Sequence, residues 1–286
     1  MAQNARVAIG GNDLTGTIGD WSKPFATISA AVTAAAAAGG TVAILIGPGT
    51  FTENGGIQLP DNVHLYGSGL EVTKIQSSLS FSSSKAILAP GNNSIIADLS
   101  VLGTVSGGAT FQAPFGALAL NSVSDNVRVQ RCKFGFTVPG GSDGIYANRA
   151  GLGTWRFYNC IISTGYDCVT LINGGVVELY NCTLTSDGSH SNGIAQGISV
   201  TNVGAVRMVG GSITVSGGIA SNTGAKTNSP GSTCDLCGVS LSTGTGGAAN
   251  DLVRANGTLA INKVRRMDGQ VLTVSGTIAY SEFRLA

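Results

Sequence analysis

The chain has 286 residues, a net charge of +1, 43 glycines, 43% apolar residues and only 11% charged ones. Glycine without a G-X-Y period excludes collagen, and the apolar share excludes a disordered chain. The absence of a basic run leaves no electrostatic footprint for nucleic acid or an anionic membrane surface. Neutral polar side chains must therefore do most of the solvation.

In chain order, residues 1–40 read as an arm and a capping helix. The segment DWSKPFATISAAVTAAAAAGG offers Asp20 or Ser22 as N-cap, Pro24 for the first turn and Gly39-Gly40 as terminator. Phe25, Ile28, Val32 and Ala35 then share one face. The apolar stretch Ala30–Ala38 is too short to span a bilayer, and no basic segment with an apolar core and cleavage site precedes it. The expectation is a protein made in a cytoplasm or assembled there into a particle.

From Val42 onward one pattern recurs: apolar, any, apolar, two residues, a marker, any, apolar. It runs Val42/Ile44/Gly47, Val63/Leu65/Ser68, Ile96/Leu99/Val101, Val127/Val129/Cys132, Trp155/Phe157/Cys160, Val177/Leu179/Cys182, Val206/Met208/Gly211, Cys234/Leu236/Val239 and Leu259/Ile261/Val264. From Ser68 onward, markers are 22 to 33 residues apart. The alternation is that of a strand with one buried face, and the step to the marker turns a corner. A second strand precedes most copies: Leu118/Leu120, Ile145, Val169/Leu171, Ile198/Val200 and Leu252, with Asn121, Asn173, Asn202 and Asn256 at left-handed bends. An antiparallel sandwich also has regularly spaced short strands but would not keep column identity from repeat to repeat. The pattern predicts an all-β, single-stranded right-handed parallel β-helix of about eight coils over 41–270, with 271–286 as a C-terminal strand or tail for oligomer contact.

The stretch WSKPFATISAAVTAAAAAGGTVAILIGPGTFTENGGIQLPDNVHLYGSG resembles the N-terminal cap and first coils of the pectate-lyase-like β-helix superfamily, which includes bacteriophage tailspikes and carbohydrate-active enzymes. The likeness covers about the first 75 residues closely and the remainder through the coil pattern alone. It implies the fold and a frequent trimeric assembly. It carries no catalytic residue over, because the cap motif serves enzymes and non-enzymes alike.

Within the predicted register Cys132, Cys160 and Cys182 point inward as free thiols, since stacked in-register side chains rarely meet a disulfide's torsional demands. Cys234 faces in and Cys237 out, so this lone C-x-x-C diverges and no metal site is expected. Outward positions give the column Arg128, Arg156, Glu178, Arg207, Asp235, beside Tyr66, Tyr158 and Tyr180. That face reads as a solvated charge ladder, or as a contact surface for a partner subunit or a glycan through Tyr66, Tyr158, Tyr180, Arg156, Glu178 and Arg207.

The best catalytic candidates are Asp143 and Asp167, expected in one column on adjacent coils ahead of Gln196 and Asn250. Two carboxyls about 5 Å apart suit a retaining glycosidase; the plainer alternative is a pair of turn-bonding aspartates. His64 and His190 lie too far apart in coil order to complete a Ser/His/Asp set. The favoured expectation is a non-enzymatic structural component of a bacteriophage virion: a homotrimeric spike, fibre, collar or head-decoration protein without a cofactor. Its expected partners are itself, other virion proteins and a host-surface glycan, with no nucleic acid or membrane. A polysaccharide depolymerase (a glycoside hydrolase) using Asp143 and Asp167, and a carbohydrate-binding adhesin, are the alternatives.

Overall fold

The computed structural model describes residues 3–77, 85–104, 112–117, 124–137, 141–148, 153–218, 221–243, 250–262, 264–266, 274–275 and 278–282. The strands form three parallel sheets of eleven, nine and nine strands, each coil adding one strand to each sheet. The result is a right-handed parallel β-helix, as the column pattern predicts. In the first sheet Val127, Trp155, Val177, Val206, Cys234 and Leu259 align in register and are all buried. Each large apolar side chain removed from water in this way contributes roughly 1.5–3 kcal/mol.

Four large rings, Phe115, Phe134, Trp155 and Phe157, meet in the core, with contacting ring centroids 5.1 to 6.2 Å apart. Trp155 Nε1 donates to the Ser124 carbonyl at 3.1 Å and to its hydroxyl at 3.0 Å, so the indole is buried with its polar atom satisfied.

The corner before the markers from Leu99 to Val239 is left-handed. Asp98, Arg131, Asn159, Asn181, Gly210 and Gly238 have φ between 51° and 67°, a conformation costing a side-chain-bearing residue about 1–2 kcal/mol. Arg131 offsets part of that cost by a two-pronged bond to Asp98 on the preceding coil, at 2.6 and 2.7 Å. A second left-handed column contains Asn62, Asn93 and Asn126, whose side-chain amides bond from coil to coil at 3.1 and 3.0 Å. Asn173 and Asn202 are left-handed as expected and extend a similar ladder from Asn148, at 2.8 and 2.6 Å. Asn256 is not among the left-handed residues, and Leu118, Leu120 and Asn121 lie outside the described residues.

The lid departs from expectation at its start. The helix is Ile28–Ala38, N-capped by Thr27, with Gly39 ending it at φ 68°. Asp20, Ser22 and Pro24 precede it because Phe25 is held as a bridge to Val7, its amide donating to the Arg6 carbonyl at 2.8 Å. The helix N-terminus is held by acids from elsewhere. Asp13 accepts from the Ala26 and Thr27 amides at 2.7 and 2.9 Å; buried Glu53 accepts from Ile28 N at 2.8 Å and from Ser29. Carboxylates there meet both unpaired amides and the positive end of the helix dipole. The arm also supplies a strand, Gln3–Val7, that extends the first sheet beyond Val42–Ile46.

The third sheet differs from its expected outline in three coils, in the last of which Val253 rather than Leu252 holds the column position. Gln112–Ala117 puts Phe115 in the column of Ile145, Val169 and Ile198, and Ser221–Thr227 supplies a strand whose residue in that column is Ala225.

Candidate functional site

The outer face of the first sheet carries the predicted charge column. Arg128, Arg156, Glu178, Arg207 and Asp235 align coil by coil. Arg156 Nε donates to Glu178 Oε2 at 2.8 Å, and Arg207 Nε lies 3.5 Å from Asp235 Oδ2. Tyr158 and Tyr180 stack with centroids 4.9 Å apart and planes 9° apart, and the Arg128 guanidinium carbon sits 5.1 Å from the Tyr158 ring centre. Arg128 approaches from the preceding coil and Tyr180 from the following one, so Tyr158 presents an edge to solvent. Tyr66 shares this column but is separated from Tyr158 by Ala97 and Gln130, and stands apart from the stack.

Inward, Cys132, Cys160 and Cys182 form the expected thiol column, with no disulfide. Burial pushes the Cys132 thiol up to about 12, which suits an inert core residue. Cys234 is buried and Cys237 is half-buried on the opposite side of its strand.

Asp143 and Asp167 do occupy one column on adjacent coils: Ile145 pairs with Val169 two residues later in each strand. The column continues through Gln196 and Thr223 to Asp251, so Thr223 intervenes and Asn250 sits one position off. The strand Ser221–Thr227 was missed because its mostly polar composition hides it from an apolar pattern, and Asn250 is one position off because Val253, not Leu252, stands in the column of Ala225.

The pair is sealed. Asp143 is 0% exposed and Asp167 3%. Thr170 Oγ1 lies 2.5 Å from Asp143 Oδ1 and 3.1 Å from Asp167 Oδ2, while Ser142 Oγ donates to Asp143 Oδ2 at 3.1 Å. A hydroxyl has one proton to give. If Thr170 donates to Asp143, its contact with Asp167 requires a proton on Asp167. The electrostatics agree. Burial raises the Asp143 carboxyl to about 7, and burial followed by the charge of Asp143 pushes Asp167 well above the ordinary range. The Thr170 bond and the Lys226 charge oppose the shift at Asp167 without cancelling it. Asp167 Oδ1 is buried without a hydrogen-bond partner. Tyr166 is raised by burial and by both carboxyls, and its ring lies 5.4 Å from that of His190. Two carboxyls with raised affinities, one protonated, have the electronic properties of an acid–base pair. In this fold, however, both are closed off from the protein surface.

Sequence reasoning missed a cleft of about 270 Å³ at the corner between the second and third sheets, lined by Phe136, Thr137, Ser163, Thr164, Gly165, Thr185, Asp187 and Ser189. It forms because residues 187–190 fold back on Gly165, where His190 N donates to the Gly165 carbonyl at 3.2 Å. A Cβ on Gly165 would lie 2.7 Å from Ser189 Oγ and 2.8 Å from the Gly141 carbonyl, so the close approach depends on glycine. No apolar periodicity marks this feature. Among the described residues no three of His, Cys, Asp and Glu converge as a metal site would require, and no helix is long and apolar enough to cross a membrane.

No family model matches the chain, and no curated protein matches it in sequence. Solved structures do match in shape. A pectin methylesterase from carrot is 17% identical, with a TM-score of 0.58 over 98% of this chain and 82% of that one. A pectin methylesterase from Aspergillus niger is 16% identical, with a TM-score of 0.56 over 99% and 84%. The Dettilon tailspike protein is 15% identical, with a TM-score of 0.55; the match covers 82% of this chain but 46% of the tailspike. At such identities the likeness establishes the pectate-lyase-like fold and leaves the chemistry to the residues themselves.

Proposed function

We propose that the chain is a non-enzymatic structural component of a bacteriophage particle, a homotrimeric β-helical spike, fibre, collar or head-decoration protein located in the virion. The observation that carries this reading is the sealing of Asp143 and Asp167, the one stacked carboxylate pair among the described residues. The N-terminal arm adds support. Ile9, Leu14 and Trp21 are 65%, 95% and 51% exposed, a concentration of apolar surface that suits attachment to another subunit or another virion protein. A tailspike of the same fold is consistent with it.

Sedimentation should give a stable trimer, and mass spectrometry of purified particles should find the chain at a fixed copy number. A dispersed monomer would remove the trimer from the proposal.

A second reading has its own observation: the raised carboxyls of Asp143 and Asp167 on adjacent coils, in a fold shared with pectin methylesterases. It makes the chain a polysaccharide-active hydrolase, with Asp167 as the acid and Asp143 as base or nucleophile once the cover opens. Release of reducing sugar or methanol from glycans, abolished in both Asp143→Asn and Asp167→Asn, would establish it over the structural role. Glycan binding that survives those changes and disappears in Tyr158→Ala would indicate an adhesin acting through the first-sheet face.

A further inference from the structure

The outer face of the second sheet has a chemistry unlike the rest of the rod. On three successive coils its outward residues are Thr183 and Thr185, Ser212 and Thr214, Ser240 and Ser242, aligned in two columns by the strand register. These six hydroxyls are exposed or half-buried. Among the described residues none takes part in an intramolecular hydrogen bond. Backbone geometry spaces them by about 4.8 Å between coils and about 6.6 Å along each strand. The first-sheet face, by contrast, satisfies its polar groups internally through ion pairs.

This grid runs into the corner cleft. Thr185 and Ser163, neighbours in one column, line it together with the aromatic Phe136 and the carboxylate Asp187. Asp187 spends one carboxylate oxygen on the Ser189 amide, at 3.0 Å, and leaves the other for a ligand. A neutral hydroxyl grid, a carboxylate that accepts from paired hydroxyls and a ring edge or face for C–H groups are the parts that recognise an uncharged sugar. No Lys or Arg occupies the outward positions from Ile161 to Ser242. The columns are flanked by Lys133, which is ion-paired with Glu71 at 3.2 Å, and at the far end by Arg265. An acidic sugar in the cleft would therefore meet the Asp187 charge with no cation among the cleft's own residues.

We propose that the corner cleft and the hydroxyl columns beside it form a binding site for a neutral oligosaccharide, one sugar ring in the cleft and the chain lying along the rod axis. The site is separate from Asp143 and Asp167 and does not depend on the virion assignment.

The test is titration of the full-length protein, by calorimetry or saturation-transfer NMR, with a panel of neutral hexasaccharides (gluco-, manno- and galacto-configured) and with oligogalacturonate as the acidic comparison. At least one neutral oligosaccharide should bind and oligogalacturonate should not. Thr185→Arg, which fills the cleft from a solvent-facing position, and Asp187→Asn should each weaken binding by roughly tenfold or more without lowering the melting temperature. Tyr158→Ala on the first-sheet face should leave it unchanged. Absence of binding to every neutral oligosaccharide overturns the proposal. So does binding that survives Thr185→Arg and Asp187→Asn, or that is lost in Tyr158→Ala instead.

Discussion

On the outside of the first sheet, Arg156 meets Glu178 at 2.8 Å with 38% and 18% of their side chains exposed, and Tyr158 stacks edge-outward on Tyr180. On the outside of the third sheet, Asp143 and Asp167 stack in the same coil-to-coil fashion but are closed to solvent and bridged by Thr170. Both faces repeat a polar residue every coil. One neutralises unlike charges in high dielectric, whereas the other holds like groups in low dielectric and must keep a proton to do so. Position in a column therefore sets which groups meet, and the cover over the column sets what they become.

The largest effect expected from breaking this contrast is at Asp143. Asp143→Ala removes the acceptor of Ser142, leaves Thr170 to donate to Asp167 alone and opens a void in a buried site, and should cost about 2 kcal/mol in urea unfolding. Asp143→Asn keeps the shape and should cost much less. A cost for Asp143→Ala no greater than that of a surface change would show the pair to be solvated.

Next comes pH. Both carboxyls bind protons more tightly folded than unfolded, so their contribution is complete below the ordinary carboxyl range near pH 4. It is lost as pH rises through about 7 for Asp143, and through the raised range of Asp167, which burial and the neighbouring Asp143 charge hold well above an ordinary carboxyl. The melting temperature should accordingly be higher at pH 5 than at pH 8.5. Asp143→Asn with Asp167→Asn should flatten that difference, and an unchanged slope in the double variant would assign the effect elsewhere.

The first-sheet ladder should matter least. Glu178→Gln should cost about 0.5 kcal/mol, an amount that 0.5 M salt largely removes. Thiol labelling then separates inside from outside without changing stability. In the folded protein Cys237 should react alone, and all six thiols should react in denaturant.

Legibility in the sequence followed the chemistry of each column. Alternating Val, Leu, Trp and Phe made the first sheet readable to the residue, and with it the inward thiols and the outward charges. In the third sheet, Ser221–Thr227 holds its column position with Ala225 and was invisible to an apolar pattern, and reading Leu252 in place of Val253 displaced Asn250 by one position. The stacking of Asp143 on Asp167 was legible because two strands carry it. Their burial was not, since no apolar or polar pattern within the two strands distinguishes a covered aspartate from an exposed one. The helix start was misread for a similar reason: Asp20 and Ser22 are competent caps locally, but Val7 and Arg6 claim Phe25 first.

Glu53 lies in the first coil, yet its carboxylate fastens the backbone of Ile28 and Ser29 in the lid. The lid therefore cannot latch before the coil beneath it has closed, although it is made earlier in the chain. Drawn out from its N-terminus, the rod would first release that latch and the Gln3–Val7 strand, and only then unwind turn by turn, each turn exposing the next as a new end.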